Sequence, residues 1–225
     1  NQIKNTFRNE ANKGEFDIAN VEESHDLFKN KKTSSIKMKS FIYLQSGSPI
    51  YLYHIKKGKV KTFATNDEGK ELITGLFKEN DFFGYHSLLK EDEYSDSAIA
   101  VVDTELNLIP KEEFHSLIKN RRDIANEFIR MLSKEVIDKE RELLSLAYNS
   151  VKKRVADGLI KYFDKYSEEF SKGLHIPRED LANIAGTSTE SVIRTLSEFK
   201  KDGLISIEGK MIYIKNHDEL STYKY

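Results

Sequence analysis

Residues 180–215 read "DLANIAGTSTESVIRTLSEFKKDGLISIEGKMIYIK", and this stretch decides how the C-terminal part of the chain folds. Just upstream, Pro177 opens "PREDLANIA", a short helix with Glu179 and Asp180 in its first turn, where the helix dipole favours carboxylates. Gly186 supplies the φ > 0 residue that ends such a helix. A second helix is predicted from about residue 188 to 201, stopping at Asp202-Gly203. Two alternating strands then flank Glu208-Gly209-Lys210, a hairpin. Two short helices across a tight glycine turn, followed by a hairpin, make a winged helix-turn-helix.

In the second helix, Val192, Leu196 and Phe199 fall on one face and point into a small core. Thr189, Glu190, Ile193, Arg194 and Ser197 are left on the other. An ordinary surface helix accounts for the charges. Thr187 and Glu190 have capping-box spacing, and Glu190–Arg194 is an i,i+4 pair contributing a few tenths of a kcal/mol. It does not account for the glycine turn and the wing. Recognition of double-stranded DNA accounts for all three. Arginine donates bidentately to guanine, glutamate accepts from the cytosine amino group, and short hydroxyls at a helix N-terminus suit phosphate oxygens. Glu190, Arg194, Thr189 and Ser191 are the candidate base readers; Thr187, Ser188, Lys201 and Lys210 are the candidate phosphate contacts. Residues 150–225 hold 13 Lys/Arg against 12 Asp/Glu, so basic residues must act locally, with Lys152, Lys153, Arg154 and Lys200 as further candidates. A winged helix used for protein contacts is the alternative.

Upstream, residues 150–165 form an amphipathic helix through Val151, Val155, Leu159 and Phe163, and "SEEFSKG" after it reads as a loop. The segment 121–147 has neither Gly nor Pro. Ile129, Leu132, Val136, Lys139, Leu143 and Leu146 recur at alternating steps of three and four, a narrow a/d seam with one lysine in it. Such a seam predicts pairing with a second copy, hence a homodimer buried at Ile129, Leu132, Val136, Leu143 and Leu146; a helix packed on the chain's own sheet, which needs a broader apolar face, is the alternative.

From about 34 to 110 the texture is β. Short runs such as "FIYL", "IYLYHI", "KVKTFAT", "ELITGLF" and "AIAVV" alternate with "SGSP", "KKGK", "NDEGK" and "KENDF". Gly47, Gly58 and Gly69 recur every 11 residues, about one strand plus one turn, and "NDEG" is a hairpin turn. Roughly eight antiparallel strands predict a sandwich or jelly roll. The fold is therefore α+β in four parts: a polar helical segment over 1–33, with Asn20 and Glu23 capping a helix in "VEESHDLFKN"; a β-roll over 34–120; a dimerisation helix over 121–148; and the winged domain over 149–225.

Composition narrows the function. The 225 residues carry 36 Lys/Arg and 37 Asp/Glu, a net charge of -1, which excludes a bulk basic coat for nucleic acid. Cysteine is absent, so thiolate chemistry, disulfides and cysteine-held iron–sulfur clusters are excluded, and a reducing, cytoplasmic setting is expected. No apolar run reaches membrane-spanning length. The chain starts at Asn, and loss of an upstream region is one reading of that. No nucleophile–base constellation and no H-x-H of the cupin kind is present, so the reading is not an enzyme.

The segments "DLANIAGTSTESVIRTLSEFKKDGLISIEGKMIYI" and "IKKGKVKTFATNDEGKELITGLFKENDFFG", in this order around a long helix, resemble the CRP/FNR family of bacterial transcription regulators from about residue 34 onward. The resemblance implies a cyclic-nucleotide-binding-like β-roll and a homodimer on pseudo-palindromic sites. It also implies RNA polymerase as a further partner, and a GA·TC step read by the residues at Glu190 and Arg194. Thr189 stands where some members carry a further base-reading arginine. In cyclic-AMP-binding members a glycine turn leads to a ribose-binding glutamate and then a phosphate-binding arginine. Here Gly84 is kept, but Tyr85 and Asp96 stand at those two places within "FFGYHSLLKEDEYSDSAIAV". Without a bidentate cation a buried phosphate loses its strongest partner, so cyclic AMP is not expected in the usual mode. Phe83, Gly84, Tyr85, His86 and Ser97 mark the candidate effector pocket, with the effector unknown and no cofactor assigned. His86 matches the haem ligand of a CO-sensing member, which leaves a haem-based gas or redox sensor as an alternative. His25, His54 and His115 add no ligand-spaced partner.

Overall fold

The computed structural model describes residues 31–167 and 173–223; the helix expected over 21–30 and most of the "SEEFSKG" loop lie outside them. Eight strands build the roll: β1 (Lys32–Ile36), β2 (Phe41–Tyr43), β3 (Tyr51–Lys57), β4 (Lys59–Thr65), β5 (Glu71–Lys78), β6 (Phe82–Phe83), β7 (Ser97–Ala100) and β8 (Thr104–Pro110). A one-and-a-half-turn helix, α1 (Tyr85–Lys90), interrupts them. The strands form two antiparallel four-stranded sheets, ordered β1-β8-β3-β6 and β2-β7-β4-β5. The "NDEG" turn joins β4 to β5, with Asn66 Oδ1 accepting from the amides of Glu68 and Lys70 and Gly69 at φ 76.

Strand periodicity explains the layering. In β3, Tyr53 and Ile55 face inward, where they meet Val60, Phe83, Tyr94, Ala98 and Leu106 between the sheets. The alternate residue Leu52 points outward and packs with Phe82, Tyr85, Leu88, Ile109, Phe114, Ile124 and Phe128. That outer face is covered by α2 (Lys111–Asn120) and the start of α3 (Arg122–Tyr148). Sequence reasoning did not resolve α2 as a separate helix, although Pro110 precedes it and Glu112 and Glu113 occupy its first turn.

The outer face of the second sheet is covered by the winged domain. This comprises α4 (Val151–Tyr166), β9 (Leu174–His175), α5 (Arg178–Ala185), α6 (Thr189–Lys201), β10 (Ile205–Glu208), β11 (Met211–Ile214) and α7 (His217–Ser221). Phe63, Ile73 and Leu76 from β4 and β5 share one apolar cluster with Leu159, Phe163, Leu181, Leu196 and Phe199. Polar contacts frame this junction. Lys61 pairs with Asp180 at 2.5 Å, their side chains 17% and 10% exposed. The buried Tyr166 hydroxyl donates to the Val60 carbonyl at 2.8 Å, and burial pushes that phenol well above its ordinary value. Lys165 pairs with Asp81 at 2.5 Å.

A mostly buried ion pair deprived of one partner leaves a desolvated charge, whereas replacing both with apolar groups can be neutral. Lys61→Met should therefore lower the unfolding free energy by about 3 kcal/mol. Lys61→Met with Asp180→Leu should regain most of it. Urea unfolding of wild type, both single variants and the double variant measures the cycle. Additive single effects would show that the pair contributes nothing.

Candidate nucleic-acid interface and sensor site

The reader is built around one turn. Gly186, at φ 59 and ψ 47, caps α5, and its amide donates to Ala182 O. A side chain at 186 would be strained there, and its Cβ would lie 2.8 Å from Leu146 Cδ2. Ser188 is the N-cap of α6, accepting from the Ser191 amide at 3.3 Å. The expected box of Thr187 with Glu190 is thus displaced by one residue, because the helix begins at Thr189 and its third amide belongs to Ser191.

Val192, Thr195, Leu196 and Phe199 are buried, while Glu190, Ile193, Arg194 and Ser197 are exposed along one side of α6; Thr189 and Ser191 are half-buried. Among the described residues Glu190 and Arg194 form no ion pair with each other or with any other side chain. The i,i+4 account of these charges therefore fails. Glu190's own amide and the Ser188 hydroxyl hold its carboxyl below the usual range. The face presents an ionised acceptor and a free guanidinium one turn apart, next to Thr187 at the tight turn.

The basic residues divide into two sets. Lys152 pairs with Glu198 at 2.5 Å, and Lys153 with Asp157 at 2.7 Å. Arg154 donates to Leu146 O at 3.1 Å and Gly186 O at 3.5 Å. Each of these three basic candidates has a partner within the domain, Lys153 also donating to Ser221 O at 3.0 Å. Lys200, Lys201 and Lys210 are exposed, the last at the tip of the β10–β11 wing.

In the roll, the candidate pocket residues do not converge. Phe83 points between the sheets, stacked on Tyr53 at 5.0 Å between ring centres, while Tyr85 points outward against Phe128. Gly84, at φ 81, makes that change of face possible at the start of α1. Ser97 Oγ accepts from the Gln45 amide at 2.9 Å. His86 Nε2 lies 2.7 Å from Glu135 Oε2 on α3, and the Tyr85 hydroxyl donates to the same carboxylate. Burial works against the charge on Glu135, but the His86 and Tyr85 hydrogen bonds outweigh it and hold the carboxyl below the ordinary range. Asp96 accepts from Tyr43 at 3.2 Å and Thr74 at 2.7 Å, and Tyr43 stacks on Tyr94 at 3.7 Å. Where a phosphate would need a cation, the roll therefore holds a carboxylate amid aromatic rings.

The seam of α3 is also rearranged. Ile129, Val136 and Leu143 are exposed, but Leu132 is half-buried against the chain's own helical face and Leu146 lies near Gly186. Lys139 does not lie along the seam; it donates to Thr74 O at 2.7 Å on β5 and pairs with Glu142 at 2.8 Å. Ile137, Leu144 and Tyr148, which the strict three-four stepping passed over, are exposed beside Ile129, Val136 and Leu143. A row at i, i+7, i+8, i+14 and i+15 was the signal that would have found Ile137 and Leu144.

A β-roll, a long helix and a winged helix-turn-helix with a solvent-facing second helix make the architecture of a DNA-binding transcription regulator. Residues 34–121 match the cyclic nucleotide-binding domain family, and residues 153–223 the Crp-like helix-turn-helix domain family. The chain is 32% identical over 169 residues to the cyclic AMP receptor protein of Thermus thermophilus, covering 72% of this chain and 77% of that one. It is 27% identical to the transcriptional activator protein Anr of Pseudomonas aeruginosa, over 84% of this chain and 79% of the relative. FixK2 of Bradyrhizobium japonicum shares the fold, with a TM-score of 0.78 at 21% identity over 87% of this chain and 98% of that one. The chain belongs to the CRP/FNR family of transcription regulators. Among the described residues no helix is long and apolar enough to cross a membrane, and no cluster of three or more His, Asp or Glu could hold a metal ion.

Proposed function

We propose that this chain is a homodimeric regulator that reads inverted half-sites in double-stranded DNA with α6, and that its roll does not take cyclic AMP in the usual mode. The observation that carries the reading is the exposed pair Glu190 and Arg194, unpaired with each other, beside the Gly186 turn. Arg194 donates to a guanine and Glu190 accepts from a cytosine on the opposite strand, with Thr189 and Ser191 lining the same approach. Thr187, Ser188, Lys201 and Lys210 face phosphates, and Lys200 joins them by its exposure. Two such helices in a dimer lie about one helical turn, ~34 Å, apart. RNA polymerase is the further partner that a family member of this kind would engage. A haem at His86 is disfavoured because Glu135 already holds its Nε2.

Arg194→Ala should cost about 1–3 kcal/mol on a selected duplex and lose that discrimination when the GA step is changed. Equilibrium binding to both duplexes reads it. An equal loss on both would make Arg194 a phosphate or structural residue.

The proposed dimer is supported by the exposed row of Ile129, Val136, Ile137, Leu143 and Leu144 on a 27-residue helix. Val136→Asp places two carboxylates near the dyad and should give monomers in light scattering at micromolar concentration. A monomeric wild type under the same conditions sinks the proposal.

Cyclic AMP should give no saturable calorimetric signal at micromolar concentration, because Asp96, held by Tyr43 and Thr74, repels the phosphate. Asp96→Arg alone should not create binding, since Tyr85 offers no ribose carboxylate. A micromolar dissociation constant for the wild type overturns this reading.

A further inference from the structure

A cleft of about 460 Å³ opens where β5, the C-terminal half of α3, α4 and α5 meet. Its volume lies within the roughly 300–1,000 Å³ of small-molecule sites. Leu72, Leu146 and Ile184 form an apolar wall. Four cations, Lys139, Arg141, Arg154 and Lys161, line it against two carboxylates, Glu142 and Asp157. Their pairing leaves an imbalance. Arg141 pairs with Asp138, and Asp157 with Lys153, both partners lying outside the lining. Lys139 and Lys161 share the single carboxylate of Glu142. Arg154 meets main-chain carbonyls at Leu146 and Gly186, and its buried Nε has no hydrogen-bond partner.

Cations in excess of carboxylates beside an apolar wall are complementary to an anion that carries a hydrocarbon chain. We propose that this cleft binds a small amphiphilic carboxylate. Its chain lies along Leu72, Leu146 and Ile184, and its head group is taken by Lys139 and Lys161 in competition with Glu142. Such a ligand touches the roll, the long helix and the winged domain together, and its binding is independent of whether α6 reads DNA. The site is distinct from the interior of the roll, where Tyr43, Tyr53, Phe83 and Tyr94 pack against one another.

Calorimetric titration of the full chain with decanoate, 1-decanol and acetate tests the site. Decanoate should bind saturably with a sub-millimolar dissociation constant, and decanol and acetate at least about tenfold more weakly, since each lacks one half of the match. Lys161→Gln should weaken decanoate about tenfold, the scale of one charge-assisted hydrogen bond. Glu142→Gln, which frees both lysines, should tighten it severalfold. That gain is one a merely structural role would not produce. Both positions are partly solvent-exposed, so the variants are expected to keep the wild-type fold, which thermal melts check. No saturable heat with decanoate, equal affinity for decanoate and decanol, or an unchanged constant in both variants overturns the proposal.

Discussion

The roll has apolar residues on both faces of both sheets, and this requirement for cover organises the molecule. A four-stranded antiparallel sheet can leave one face to water only if that face is polar. Here Leu52 and Ile109 project from one outer face and Phe63, Ile73 and Leu76 from the other. The first is closed by α2 and the root of α3. The second is closed by the winged domain, whose own core is continuous with it. Lys61 lies on that second face between Val60 and Thr62, where strand alternation turns it outward against Asp180. The winged domain is thus held to the second sheet by a surface of apolar contact with a charge pair set into it, which fixes register as well as proximity.

The junction carries a continuous polar route as well. Asp96 is held by Thr74, whose main-chain carbonyl accepts from Lys139. Lys139 and Lys161 meet at Glu142, and Lys161 belongs to α4, the first helix of the winged domain. Arg154, about two turns nearer the start of α4, ties the end of α3 to the Gly186 turn through two carbonyls. The long helix is therefore bonded to the sheet on one side and to the helix-turn-helix on the other. A displacement of β5 cannot leave α4 and the turn unaffected without breaking these bonds.

Much of this architecture was legible in the sequence where the signal was periodic. Alternation marked the strands, and Asn66 with Gly69 marked the hairpin. Gly186 marked the turn, and Val192, Leu196 and Phe199 marked the inner side of α6. What was not legible depended on long-range contacts. The stepping that placed Lys139 in a coiled-coil seam could not know that Thr74 O waits on β5, 65 residues away in sequence. Similarly, Lys152 and Arg154 looked like phosphate contacts because their partners, Glu198 and the carbonyls of Leu146 and Gly186, are brought close only by folding. The β9 strand, two residues long, has no local signature and exists through pairing with β11. The capping error was smaller in kind: with "TSTES" offering several hydroxyls in a row, spacing alone does not select Ser188 over Thr187.

The internal engagement of Lys152, Lys153 and Arg154 bears on how a regulator of this charge balance would discriminate among DNA sequences. Phosphate contacts supply affinity without sequence information, and each adds to the salt dependence of binding. With those three cations paired within the domain, the exposed unpaired lysines near the second helix include, among the described residues, Lys200 and Lys201 at the end of α6, Lys210 on the wing and Lys215 just after it. If α6 enters the groove as proposed, Glu190 further opposes non-specific attraction, because an ionised carboxylate there repels every phosphate unless a base donor meets it. On the proposed reading, the same residue that accepts from cytosine therefore penalises sequences that offer no such donor. Scarce positive charge and a negative reader act in the same direction. On that reading both lower the background of non-specific binding, so that discrimination would rest on the base edges proposed for Arg194 and Glu190.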